Sequence, residues 1–173
     1  MVFVIKLFSN TIIEARDMDK LDLQIIAQLQ TNGRKPLTEI ARALNVSEGT
    51  IRNRVSQLIE NQTIQIVGMA DPYQLGYDAP AIIAISVHPN MLEEVARKIA
   101  DLREVSYLIY VSGEFDLIVE VMCKDRDHLT RLLNEDIRST DGVTRTQTFF
   151  ILHTYKMALG ALPVLPQKDI DEN

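Results

Sequence analysis

Residues 47–59, SEGTIRNRVSQLI, read as a helix with one apolar rail and a polar, partly basic outer face. Ile51, Val55, Leu58 and Ile59 recur at helical spacing and point inward. Ser47, Glu48, Gly49, Arg52, Asn53, Ser56 and Gln57 are left outward. Ser47 is placed to cap the helix, because its side-chain oxygen can accept from an N–H of the first turn that has no partner within the helix. A shorter helical pattern lies just upstream, with Leu37, Ile40, Ala41 and Leu44 on one face. Ala41 supplies the small side chain that two crossing helices need. Between the two patterns stands Asn45-Val46. Asparagine adopts the left-handed conformation at lower cost than most residues other than glycine, and Val46 can plug the space between the helices. Two helices joined by so tight a turn predict a helix-turn-helix whose second helix enters a groove of double-stranded DNA.

Arg52 and Asn53 are the candidates for base contact, arginine matching guanine O6 and N7 and asparagine matching adenine N6 and N7. Ser47, Glu48 and Gln57 share the outer face. Arg54 is one step from the inward Val55, so it either braces the fold or meets phosphate. Arg34, Lys35 and Arg42 flank the preceding helix and suit backbone contact. Net charge is -6, which opposes a polyanion, but it is unevenly spread. Residues 1–64 hold eight Lys/Arg and seven Asp/Glu, whereas residues 65–173 hold ten and seventeen. The acidity sits away from the reading helix, and phosphate contact needs only a local basic patch.

Further upstream, Asp19 is a candidate cap and Asp22 adds negative charge to the first turn of a helix carrying Leu21, Ile25, Ile26 and Leu29. Asn32-Gly33 ends it, and Pro36 suits the start of the next. Residues 1–17 form an N-terminal arm with a possible short edge strand, and Met18 is a candidate start. Downstream, Ile64, Ile66 and Gly68 suggest a short strand leaving a domain that spans 18–68. A linker follows over 69–79, where Asp71-Pro72 and Gly76 break the pattern.

Residues 80–156 alternate strands and helices. A strand over 81–88 is followed by a turn at Pro89-Asn90, with Asn90 as cap and Glu93 completing a capping box. A helical stripe of Leu92, Val95, Ala96, Ile99 and Leu102 comes next. Strands over 105–112 and 115–123 flank a glycine turn. Asp125 caps a helix with Leu129, Leu132, Leu133 and Ile137, and a last strand spans 143–155. The order β-α-β-β-α-β is ferredoxin-like. The fold class is therefore α+β, an N-terminal helix-turn-helix (winged-helix-like) domain joined to a ferredoxin-like αβ-sandwich. Its two helices cover one sheet face, yet the other face also carries apolar residues. That predicts homodimerisation through this domain. The tail, 157–173, has apolar residues among helix breakers and suits wrapping a neighbouring surface.

Catalytic chemistry finds no foothold. His88, His128 and His153 lack metal-ligand spacing, and Cys123, the one cysteine, reads as a small buried hydrophobe. Walker, G-x-G-x-x-G, H-E-x-x-H and G-x-S-x-G motifs are all missing. The chain is read as a non-enzyme with no catalytic residues, no metal and no cofactor. Its lone cysteine and lack of an apolar run of membrane-spanning length suit the cytoplasm. The Gly113-Glu114-Phe115-Asp116 turn is a candidate effector site. With hydroxyls from Thr146 and Thr148, it can hold a small zwitterion, the turn's N–H groups taking a carboxylate and Asp116 an ammonium. Alternatively it is a plain hairpin turn with Asp116 tied up locally.

Five stretches, in order, resemble the Lrp/AsnC (feast/famine) family of bacterial and archaeal transcription regulators. They are LDLQIIAQLQTNGR at 21–34, LTEIARALNVSEGTIRNRVSQL at 37–58, DPYQLGY at 71–77, GEFDLIVEV at 113–121 and GVTRTQTFFIL at 142–152. The resemblance implies a DNA-reading helix containing Arg52, and a second domain that senses amino acids. It also implies dimers that assemble into tetramers or octamers, with effectors at interfaces between dimers near residues 113–116. Two family glycines are replaced, one by Asn45 between the helices and one by Thr63 after the reading helix. A rival reading keeps amino-acid binding but uses the N-terminal helices for protein contacts without DNA.

Overall fold

The structure, a computed structural model, describes residues 18–156, so the expected arm and tail lie outside the described residues. The chain divides into two compact units between Gly68 and Met69.

The first unit holds α1 (Lys20–Thr31), α2 (Leu37–Leu44) and α3 (Glu48–Glu60). Each start follows from its cap. Asp19 accepts from the Asp22 N–H at 2.9 Å and Ser47 from the Thr50 N–H at 3.1 Å. Pro36 sits at the α2 cap position. The helices close on Ile25, Leu29, Ile40, Ala41, Ile51, Val55 and Leu58, with Leu21, Ile26, Leu37, Leu44, Val46 and Ile64 packed around them. Ile59 does not join this core, being 44% exposed. The rail runs 51, 55, 58, and position 59 lies a further 100° around the helix. The strand expected at 64–68 is also not formed: Ile64 tucks against the core, but no described strand of this unit stands beside it to pair. A lone extended segment cannot satisfy its own backbone.

The second unit is a four-stranded antiparallel sheet in the order β2-β3-β1-β4, built from β1 (Ala79–Val87), β2 (Val105–Tyr110), β3 (Leu117–Cys123) and β4 (Val143–Phe150). Its helices are α4 (Leu92–Ala100) and α5 (Arg126–Arg131), the latter running on through a wider turn over Leu132–Ile137. Asp125 caps α5, accepting from the His128 N–H at 2.7 Å. Ala81, Ile83 and Ile85 of β1 join Leu117, Val119, Val121 and Cys123 of β3 under Val95, Ile99, Leu129, Leu132 and Ile137. Burial of this kind stabilises by about 1.5–3 kcal/mol per large aliphatic side chain. The same burial pushes the Cys123 thiol up to about 11, helped by the nearby Glu104 and Asp125 carboxylates. It is a packed hydrophobe, as its sequence context suggested.

Three local expectations need correction. Asn90 does not cap α4: Pro89–Met91 form a tighter turn in which the Met91 N–H reaches the His88 carbonyl at 2.8 Å, and Glu93 pairs with Arg97 instead. The third strand begins at Leu117, two residues later than expected, with Asp116 at its threshold. The last strand stops at Phe150, which pairs with Ala81 near the start of β1. No helix among the described residues is long and apolar enough to cross a membrane.

Candidate nucleic-acid interface and ligand turn

The turn that aims α3 closes by two backbone bonds. The Val46 N–H reaches the Ala41 carbonyl at 3.0 Å, the Asn45 N–H reaches that of Arg42 at 3.4 Å, and Asn45 lies left-handed at φ 55°. This is a Schellman ending with asparagine in the usual glycine place. The exit of α3 repeats it. The Thr63 N–H bonds the Leu58 carbonyl and the Gln62 N–H that of Ile59, each at 2.9 Å, and Gln62 lies at φ 57°. The left-handed residue is therefore Gln62, one position before the Thr63 singled out from sequence.

On α3, Ser47, Glu48, Arg52, Asn53, Ser56 and Gln57 are all exposed. Ser47 is committed to its cap and also meets the Thr50 hydroxyl at 2.8 Å. Arg52 forms an i,i+4 pair with Glu48 and remains 65% exposed. Such a pair is worth about 0.3–0.5 kcal/mol, while a bidentate base contact discriminates by about 1–3 kcal/mol. The pair is too weak to withhold Arg52 from a base. Arg54 is different. It reaches back to α1, contacting Asp19 at 2.8 Å and both oxygens of Asp22 at 3.2 and 3.3 Å. The Asp22 N–H at the helix start, and then Arg54, hold the Asp19 carboxyl below its ordinary value, against a desolvation effect. Of the two roles open to Arg54, the geometry gives it the brace. Lys35 is turned onto Gln28 of α1, and the exposed Arg34 has its backbone N–H on Asn32 at 3.0 Å.

The glycine turn joins β2 to β3. The Val111 N–H bonds the Asp116 carbonyl at 2.8 Å, and the Asp116 N–H bonds the Ile85 carbonyl at 2.9 Å. Asp116 Oδ2 accepts from the Val87 N–H at 2.8 Å, so one carboxylate oxygen is taken locally while Oδ1 has no partner among the described residues. The N–H groups of Gly113, Glu114 and Phe115 likewise donate to nothing described. Consecutive free N–H groups on a turn form an anion-accepting concavity, and a Cβ at Gly113 would meet open space.

Thr146 and Thr148 do not belong to this turn. They stand in rows with Ile85 and Ile83, on the sheet face that the helices cover, and Thr146 accepts from Arg138 at 3.0 Å. Their neighbour Arg145 does reach the turn. Its guanidinium contacts Glu114 at 2.7 Å and lies 5.1 Å from the centre of the Phe115 ring. Sequence reading missed it because 31 residues separate the pair. The available signal was a cation on an edge strand among threonines.

Comparison with known proteins covers both units. Residues 18–59 match the AsnC-type helix-turn-helix domain and residues 80–160 the Lrp/AsnC ligand binding domain. An HTH-type transcriptional regulator of Pyrococcus furiosus is 35% identical over 140 residues, 80% of this chain and 95% of that one. The HTH-type transcriptional regulator Ptr1 of Methanocaldococcus jannaschii is 34% identical over the same shares. Among solved structures, AsnC of E. coli superposes with a TM-score of 0.75 at 29% identity, covering 82% of this chain and 96% of that one. A Neisseria meningitidis transcriptional regulator solved with L-Met gives 0.77 at 23% identity, covering 84% and 96%, which speaks for the fold alone.

Proposed function

Because the chain belongs to the Lrp/AsnC family of DNA-binding transcriptional regulators, we propose that it reads DNA through the outer face of α3 and is adjusted by a small amino acid held at the turn over 113–116. The observation that carries the reading half is the contrast within α3. Arg52, Asn53 and Gln57 are exposed and aligned on one face, whereas Arg54 is spent on α1. Residues 18–68 act as the reading domain, 69–79 as linker, and 80–156 as the sensing and pairing domain.

For the effector, the free N–H groups of the turn and the Arg145 guanidinium suit a carboxylate. Glu114 and the free oxygen of Asp116 suit an ammonium. The L-Met complex of the Neisseria fold neighbour supports this class of ligand. The uncovered sheet face supports a homodimer, extended to a tetramer or octamer. It carries Ile82, Ile109, Ile118 and Met122, with Phe149 48% exposed. The protein acts in the cytoplasm, as a regulator without catalytic chemistry of its own.

The test is DNA-binding titration in the presence of each standard amino acid. One or a few of them shift the affinity or the assembly state, and Arg145→Ala keeps DNA binding but loses that shift. If no amino acid alters either property, the effector half fails. If Arg145→Ala responds as wild type does, the effector sits elsewhere.

A further inference from the structure

A hollow lies at the opposite end of β3 from the glycine turn, about 20 Å away along a strand of this length. It has a volume of about 190 Å³ and is lined by Tyr77, Arg103, Glu104, Lys124 and His128. At about 30 Å³ per water it has room for one small molecule. We propose that this hollow is a second ligand site, for a small anion bearing a carboxylate or phosphate group.

The argument rests on how its charges are disposed. Glu104 is the one carboxylate in the lining, and it is already engaged: His128 Nε2 lies 3.1 Å from its Oε1. The other ring nitrogen, Nδ1, accepts from the Lys124 N–H at 3.3 Å, which leaves the ring proton on Nε2, pointed at Glu104. Both residues are half-buried, with side chains 22% and 24% exposed, so the pair is fixed in the wall. The Asp78 N–H on the Lys124 carbonyl, at 3.2 Å, anchors the segment carrying Tyr77 beside them. Two cations remain. Neither the Arg103 guanidinium nor the Lys124 ammonium has an ion-pair or hydrogen-bond partner among the described residues. Arg103 and Lys124 both line this concavity. A concave wall with excess positive charge focuses the field on its contents, and the arginine fork matches the oxygens of carboxylate or phosphate. The Tyr77 hydroxyl adds a neutral donor.

The test uses the full-length protein and NMR of its histidine rings at fixed pH and ionic strength. Inorganic phosphate and succinate are the probes, and chloride is the reference. The His128 resonance, assigned with His128→Gln, shifts saturably with phosphate, succinate or both, while that of the exposed His88 stays still. Which probe acts separates the two sources of anion. Arg103→Gln with Lys124→Gln, both surface changes, weakens the response roughly tenfold or more, the loss of charge-assisted hydrogen bonds. Glu104→Gln removes the opposing charge and strengthens it. A non-saturating shift with both probes, an equal shift of His88, or a double variant that responds as wild type does overturns the proposal.

Discussion

Replacing Arg54 by alanine leaves Asp22, whose side chain is 12% exposed, without its cation. A nearly buried carboxylate stripped of its partner costs about 1–3 kcal/mol, so Arg54→Ala lowers the unfolding free energy by that much, read by denaturant titration followed by helical circular dichroism. Arg52→Ala, on the exposed face, changes stability by less than about 0.5 kcal/mol. The Asp19 carboxyl adds a pH signature. Its pKa is depressed below 3.8, so its contribution is complete above that value and is lost as pH falls through the depressed one. Acid titration of the wild type shows that loss, and Asp19→Asn flattens it. Arg52 was legible in the sequence, being outward by periodicity alone. The partner of Arg54 was not, because Asp22 looked like a solvated first-turn acid and the crossing that brings α3 onto α1 has no local signal.

At the scale of elements, the turns set the geometry. Gln62 holds a left-handed conformation that costs residues other than glycine about 1–2 kcal/mol. Gln62→Gly therefore stabilises the first unit by about 1 kcal/mol, seen as a raised melting temperature. Gly142 sits at φ 95° under α4, and an added Cβ would come within 2.9–3.0 Å of Met91 and 3.0 Å of Val95. Gly142→Ala combines that clash with backbone strain and destabilises the second unit by about 2 kcal/mol or more. The turn between α2 and α3 was readable because Asn45 and Ser47 each have a specific conformational task. The exit of α3 was misplaced by one residue, since glutamine carries no left-handed signature. Asn90 failed as a cap for a related reason. Proline before it starts a tighter turn, so the main chain bonds His88 to Met91 before any side chain can cap α4.

For the whole molecule, the ferredoxin-like arrangement followed from the order of elements, and the division of the sheet into two faces from alternation along β3, where buried residues recur at every second position. The candidate ligand turn was only half legible. Gly113 to Asp116 stood out locally, but register decides which β4 residue meets it, and a step of one residue exchanges Thr146 for Arg145. On the proposed pairing through the uncovered sheet face, one assembly carries two copies of α3, and the preferred DNA site has two-fold related halves. The most direct test is selection from random duplexes followed by binding titration of wild type and Arg52→Ala on the winning site and on a scrambled one. The wild type is expected to enrich a pseudo-palindrome. Arg52→Ala is expected to lose roughly tenfold or more on that site, with a much smaller loss on scrambled DNA. Failure to enrich any sequence, or an equal loss on both duplexes, would contradict DNA reading through α3.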